Sequence, residues 1–494
     1  MDLNDPEYID NSSDDDTLSV TPSVPSSTVS SLSSSDSTVH LIENITEDDI
    51  SDIIIDIYNQ ISDYLTDNVL ELASPTFYED MYSKIAFILY YEWLEFELYT
   101  DDIFDNSESS KVEDSEFYQE IYEFVEHIGE LYFDFSEVPL RTIFYDHLKN
   151  IIECSPDDEY KTLISNKIDE LKSIKQPAQR TLEWFEFRHN LISASSISKV
   201  FGSDAQQNQL IYEKCQPLNY NSVNNQRTNI NSPLHWGTKY EPVTVMIYEH
   251  MFHTKVGEFG CIQHSDYHFI GASPEGINID PNSPRFGRML EIKNIVNREI
   301  TGIPKREYWV QTQIQMETCD LEYCDFMETA FKEYESSVDF YADDEHEYRG
   351  IILHFIEQDT KSPTVNIPVY KYMPLEIPID KESIKEWIQE TRNTAKSEGL
   401  VLFTTNYWYL QEYSCVLIPR NRPWFQAAAP LIQNIWKTIE HERVNGYEHR
   451  ASKKKELKNT IVTSDISSNS YFIKNLKQNN GICLIKLEGT EGSL

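Results

Sequence analysis

The chain has 494 residues, 40% hydrophobic and 12% aromatic, enough for about two or three domains with real cores. No apolar run reaches the ~18 residues of a membrane helix. The acidic start MDLNDPEYIDNSSDDD lacks the basic and apolar regions of a secretory or transit peptide, so a cytoplasm-like compartment is expected. A formal net charge of −42 is wrong for a chain that binds nucleic acid throughout, but the charge is uneven: residues 1–175 carry 42 Asp+Glu and 8 Lys+Arg, a net of −34, against −8 for the remainder.

Residues 1–40, rich in Ser, Thr, Asp and Pro, cannot bury enough apolar surface to offset ordering entropy and read as a disordered acidic tail. Residues 41–175 are acidic yet full of Ile, Leu, Tyr, Phe and Trp. Ile54, Tyr58, Ile61, Leu65 and Val69 recur at steps of three and four, the pattern of an amphipathic helix. The run MYSKIAFILYYEWLEFELY is apolar on nearly all sides and predicts a central buried helix; FYQEIYEFVEHIGELYF predicts another. The segment reads as an acidic helical bundle of three to five helices. From residue 176 to about 450, helical and strand-like segments alternate between Gly and Pro, the texture of an α/β domain, and 451–494 reads as a loosely structured tail. The seven cysteines, among which Cys319 and Cys324 are the closest pair, form no CxxC motif and suggest neither a zinc ribbon nor a disulfide framework.

The densest chemistry lies between residues 236 and 315. In Leu290-Glu291-Ile292-Lys293 the period of two sends Leu290 and Ile292 to one face of a strand and Glu291 with Lys293 to the other. Upstream, Ser273-Pro274-Glu275-Gly276 sets a second carboxylate before a short strand. A hairpin of the two strands would bring Glu275 beside Glu291, where the two repel unless a hard cation lies between them. Glu241 borders the helix face formed by Tyr240, Thr244 and Ile247. In YWVQTQIQ, Gln311 and Gln315 share a helix face from which an amide reaches a phosphate or a water. Lys239, Arg285, Arg288, Lys305 and Arg306 are candidates for the phosphate backbone. Taken singly, each of these is more often a turn, a capped helix or a solvated face; their order and spacing carry the reading. Trp408, Trp424 and Trp436 read as core rather than base-stacking platforms.

The series GTKYE, ASPEG, LEIK and YWVQTQ resembles the lambda-exonuclease and YqaJ-type viral recombinase branch of the PD-(D/E)XK nucleases, over about residues 180–330 with an extension toward 445. The family motif is usually SPDG; here Glu275 stands where Asp is expected. Trp184 and Arg188, followed by Ile192-Ser193-Ala194-Ser195, are similar to the family's W-x-x-x-R…I-x-A-S opening, whose Arg and Ser form a pocket for a 5′-terminal phosphate. Locally, Trp184 and Arg188 lie one helix turn apart, and Ser193 or Ser195 can cap the following helix. The resemblance implies a restriction-endonuclease-like α/β core with a central mixed sheet flanked by helices, to which this chain adds the acidic bundle. It implies Glu275, Glu291, Lys293 and Gln311 as catalytic residues, and Mg²⁺ or Mn²⁺ (one or two ions) on Glu241, Glu275, Glu291 and the Ile292 backbone carbonyl. It implies Arg188, Ser193, Ser195, Lys239 and Gln313 as 5′-phosphate or DNA contacts. The activity implied is a 5′-end-directed DNA exonuclease, with endonuclease activity left open. DNA is the implied partner, with a dimer or ring of the chain and a helicase or single-strand-binding recombinase; the acidic bundle suits a basic protein. The enlarged chain also resembles nuclease-like proteins of giant viruses compared with CRISPR adaptation nucleases. Those carry an iron–sulfur cluster on four cysteines, a set this sequence lacks, so no cluster is expected. The alternatives are a catalytically weak DNA-binding relative and an interaction module acting through the acidic segment.

Overall fold

The computed structural model describes residues 47–97, 115–136, 138–144, 157–179, 181–218, 230, 232–357 and 368–451. The described residues up to Arg450 belong to one compact unit, and a second begins at Ala451. The tail expected over 1–40, and that expected over 451–494 apart from Ala451, lie outside the described residues.

Three acidic helices lead: α1 (Glu47–Asp67), α2 (Phe77–Glu97) and α3 (Glu116–Phe135). On α1 the buried stripe is Ile54, Ile57, Ile61 and Leu65, while Val69 falls past the helix in a 3₁₀ turn. Helix α2 is not the central helix its composition suggests. Met81, Tyr82, Ile85, Ala86 and Leu89 are buried, but Phe87 and Ile88 stay 36% and 38% exposed on its outer side. Strand β1 (Ile143–Phe144) and α4 (Asp158–Ser173) follow.

Next come α5 (Leu182–His189), β2 (Ile192–Ser193), the single turn α6 (Ala194–Ile197) and α7 (Asp204–Cys215). The long α8 (Pro233–Phe252) precedes β3 (Val256–Gly257), β4 (Ile262–Gln263), β5 (Ile270–Ala272), β6 (Gly276–Asn278) and β7 (Met289–Asn294). Helix α9 (Arg306–Cys319), β8 (Tyr323–Glu333), α10 (Ser337–Ala342), β9 (Arg349–Glu357), β10 (Pro368–Tyr372), α11 (Lys381–Ser397), β11 (Leu400–Pro419) and α12 (Arg422–Asn445) complete the described chain.

The main sheet runs β10-β9-β11-β8-β7-β6-β3, with β1 added on β11; β7 and β8 are parallel and the other pairs antiparallel. A small second sheet has the order β2-β5-β4. This is a mixed α/β fold with helices on both faces of a central sheet. Leu290 and Ile292 of β7 pack on Tyr240, Val243 and Ile247 of α8, as their alternation predicts. Trp408, Trp424 and Trp436 are core, as read from the sequence.

The acidic helices do not stand apart. Their apolar stripes join Trp309, Val310 and Ile314 of α9 and Trp424 and Ile432 of α12 in one continuous core. Arg141, 2% exposed, donates to the carbonyls of Ala73 and Pro304 and accepts the Trp309 indole N–H on its own carbonyl at 2.9 Å. Strand β1 covers an edge of β11 with Ile143 opposite Leu417 and Phe144 opposite Val416.

Candidate active site

The hairpin expected from the sequence forms. In β6 and β7 Gly276 lies opposite Leu290 and Ile277 opposite Met289, so Glu275, one residue before β6, meets Glu291. Gly276 is set by close approach rather than by a turn: a Cβ there would lie 2.1 Å from Val256 Cγ1 on β3. The same register sets Pro274 toward Ile292. The Arg288 carbonyl accepts from Asn278 N–H at 2.8 Å, and strand carbonyls alternate, so the Ile292 carbonyl points to this edge too. Proline has no N–H to offer it.

Glu291 is fully buried. Its Oε1 accepts from Lys293 Nζ and from Gln311 Nε2 at 2.7 Å, and its Oε2 accepts from Gln315 Nε2 at 2.8 Å. Lys293 also donates to Gln311 Oε1 at 3.2 Å and lies 4.8 Å from the centre of the Tyr308 ring. Burial pulls the Lys293 pKa down, but Glu291 and Glu275 outweigh it and hold the ammonium above its ordinary value.

Glu241 reaches the cluster from α8, next to Pro242, which deletes one helical N–H. The Glu241 and Glu275 carboxyls are hydrogen-bonded to each other. Burial, with the charges of Glu291 and Glu241, pushes the Glu275 pKa well above the usual carboxylate range. Burial raises Glu241 as well, with Glu291 and Glu258 adding to it. Among the described residues no three His, Cys, Asp or Glu side chains already stand as a closed metal-holding group. Glu241 and Glu275 are turned to each other, and Glu291 is turned to Lys293 and two amides. The donor set itself, three carboxyls and a backbone carbonyl, fits a hard divalent cation, whose charge would relieve that crowding.

The opening element pairs with the strand that precedes the Glu275 turn. Strand β2 runs parallel to β5 with Ser193 opposite Gly271, and β5 leads directly to Ser273 and Glu275. Arg188 stacks over Trp184 at 4.7 Å. Ser193 is buried and bonded to the Ser195 and Ser196 hydroxyls at 3.3 and 3.0 Å, and Ser195 is exposed. The expected serine cap is not made: Ser193 holds the N-cap position of α6 without a side-chain cap bond, and that helix is only four residues long.

Several expected DNA contacts are engaged elsewhere. Lys239 is buried, bonded to Glu333 at 2.5 Å among the rings of Trp236, Tyr240 and Tyr370. Gln313 is buried on another face of α9 from Gln311, donating to the Pro419 carbonyl at 2.9 Å and accepting from Asn421 N–H at 2.7 Å. Arg285 and Arg288 are buried against Asp325, and Arg306 pairs with Glu71 at 3.0 Å. Lys305 is exposed at the start of α9. Two neighbours went unassigned in the sequence, Tyr308 and the Ser273 carbonyl. Tyr308 sits three residues before Gln311, a spacing that put it on the same helix face.

Residues 183–322 match the model of the YqaJ-like viral recombinase domain. That span holds Arg188, the serines, all three glutamates, Lys293 and the glutamine row. An uncharacterised protein of Acanthamoeba polyphaga mimivirus is 29% identical over 311 residues, 56% of this chain and 55% of that protein; the chain spans about half the length of this curated relative. Among solved structures, the alkaline exonuclease of Laribacter hongkongensis covers 53% of this chain and 94% of its own at 19% identity, with a TM-score of 0.32. The same enzyme in complex with dAMP gives a TM-score of 0.31. No helix among the described residues is long and apolar enough to cross a membrane.

Proposed function

We propose that this chain is a metal-dependent DNA nuclease that degrades duplex from 5′ ends. The observation that carries the reading is the register pairing Glu275 with Glu291 in front of Lys293 and Gln311, with Glu241 closing the cluster. Glu241, Glu275, Glu291 and the Ile292 carbonyl would hold Mg²⁺ or Mn²⁺, which when bound acidifies water and offsets charge on the phosphate. Lys293, kept charged by its carboxylate neighbours, stands where charge builds on the phosphate oxygens. Gln311 bonds both Glu291 and Lys293 and fixes their spacing. Ser193 pairs with the strand that leads into Glu275, and together with Arg188 and Ser195 it would form the pocket for a terminal 5′ phosphate. Homo-oligomerisation and a basic or recombinase partner belong to the same proposal.

The test is digestion of end-labelled linear duplex beside closed circular DNA, with Mg²⁺, with Mn²⁺ and with chelator. Cation-dependent loss of the linear form that disappears in Glu291→Gln supports the reading. Glu275 in the place of the usual Asp favours one rival, a DNA-binding relative without turnover; binding without cleavage in either cation would select it.

A further inference from the structure

Glu291 has about four lone-pair sites on its two oxygens. Two donors occupy Oε1, Lys293 and Gln311, while Oε2 takes one bond, from Gln315. The Gln315 amide, 1% exposed, also donates to the Ser273 carbonyl at 3.2 Å. That carbonyl lies two residues before Glu275. One side chain therefore ties the strand carrying Glu291 to the turn carrying Glu275. Its orientation is fixed, because a flipped amide would place an oxygen against a carboxylate and a carbonyl. The Gln315 Oε1 is buried and accepts from no protein donor.

We propose that Gln315 is a positioning residue that sets Glu291 to offer a divalent cation a single oxygen, Oε2, at a fixed distance from Glu275. Lys293 and Gln311 hold Oε1 away from that role. This rests on the metal-dependent reading above. Supporting hydrogen bonds to ligating carboxylates commonly change metal affinity by ~10–100-fold. The residue is separable from Gln311, which bonds Lys293 as well and so affects the charged amine along with the carboxylate.

The experiment is Mn²⁺ titration calorimetry on the full-length protein, with a thermal melt of each metal-free sample. Gln315→Met keeps the length and helix propensity of the side chain but donates nothing. Gln315→Asn keeps the amide one methylene short of Glu291. The expected result is a rise of about tenfold or more in the Mn²⁺ dissociation constant in both variants. The metal-free melts should fall by a few degrees, because buried acceptors on Glu291 and Ser273 lose a donor, and excess Mn²⁺ should restore turnover. A dissociation constant equal to wild type in either folded variant overturns the proposal, whatever the melt does, because a purely structural role lowers the melt and leaves affinity alone. If Gln315→Met does not fold, Gln315→Asn decides. If wild type itself takes up no Mn²⁺, the metal-dependent reading falls and takes this proposal with it.

Discussion

Lys293→Met removes the cation bonded to the fully buried Glu291 carboxylate. Breaking a buried pair from one side costs about 3–5 kcal/mol, because the partner charge stays behind without compensation. Gln311 and Gln315 still donate to Glu291 at 2.7 and 2.8 Å, so the lower end applies, about 3 kcal/mol. At about 2 °C per kcal/mol for a larger domain, the metal-free melt should drop by about 6 °C. A divalent cation on Glu291 substitutes for the lost ammonium, so saturating Mn²⁺ should close most of that gap. Turnover should nonetheless fall by about 10²–10³, since no charged donor remains for the phosphate oxygens.

The assay is thermal unfolding of wild type, Lys293→Met and the double variant Glu291→Gln/Lys293→Met, each in chelator and in Mn²⁺. The double variant should melt above Lys293→Met in chelator, because a neutral amide replaces the stranded charge. A Lys293→Met melt equal to wild type in chelator refutes the reasoning. So does a deficit that Mn²⁺ leaves untouched in a protein shown to bind it.

Glu275 gives a pH signature. Its folded pKa is raised by burial, then by Glu291 and Glu241, so above the usual carboxylate range the metal-free folded state binds more protons than the unfolded chain. Stability should fall as pH rises through that window. Glu275→Gln should flatten the slope, and parallel slopes from pH 5 to 9 in chelator would contradict this. Lys214 has the opposite sign: burial, with Arg188 and Arg443 nearby, lowers its pKa to about 8, so stability should rise between about pH 8 and the usual lysine value. Lys214→Met should stabilise the protein at pH 7 by about 1–2 kcal/mol, discounted for its half-buried side chain and the lost bond to the Arg188 carbonyl. Urea melts at pH 7 and pH 10.5 should show the gain shrinking. Arg188→Ala should remove most of the preference for a 5′ phosphate over a 5′ hydroxyl on linear duplex; equal wild-type rates on both ends would leave Arg188 as a stacking partner of Trp184 alone.

The geometry of the candidate site was legible because it is local. The alternation in LEIK, the spacing from SPEG to LEIK and the four-residue step from Gln311 to Gln315 each follow from one strand or helix repeat. Gln313, expected among the DNA contacts, is set aside by the same helix repeat: two residues along a helix turn it by about 200° from Gln311, to the far face where it bonds Pro419 and Asn421. What the sequence withheld was long-range pairing. Lys239 reads as an available cation until Glu333, 94 residues on, closes on it, and Arg285 until Asp325 does so 40 residues on. The break in charge near residue 175 likewise marks a change of surface. The apolar stripe beneath runs through it without interruption, because Ile57 and Ile61 pack into the same core as Trp309.

That continuity decides how the acidic segment can be tested. A chain starting at Gln176 would lose Arg141 from beside Trp309, bare the edge of β11 at Val416 and Leu417, and open the core around α9. Any change in DNA binding by it would mix electrostatics with misfolding. Neutralising surface charge leaves the core intact. Glu116, Glu123, Glu126 and Glu130 lie on the exposed side of α3, opposite the buried stripe of Tyr118, Ile121, Val125 and Ile128. Their joint replacement by Gln removes four negative charges from a chain of net charge −42. If the acidic helices repel DNA at range, the variant should bind duplex more tightly than wild type at low salt. The two should converge near physiological salt, where the screening length is about 8 Å. Affinities that coincide at low salt, with matching melts, would assign these helices to bracing α9 and to docking a basic partner rather than to electrostatic restraint.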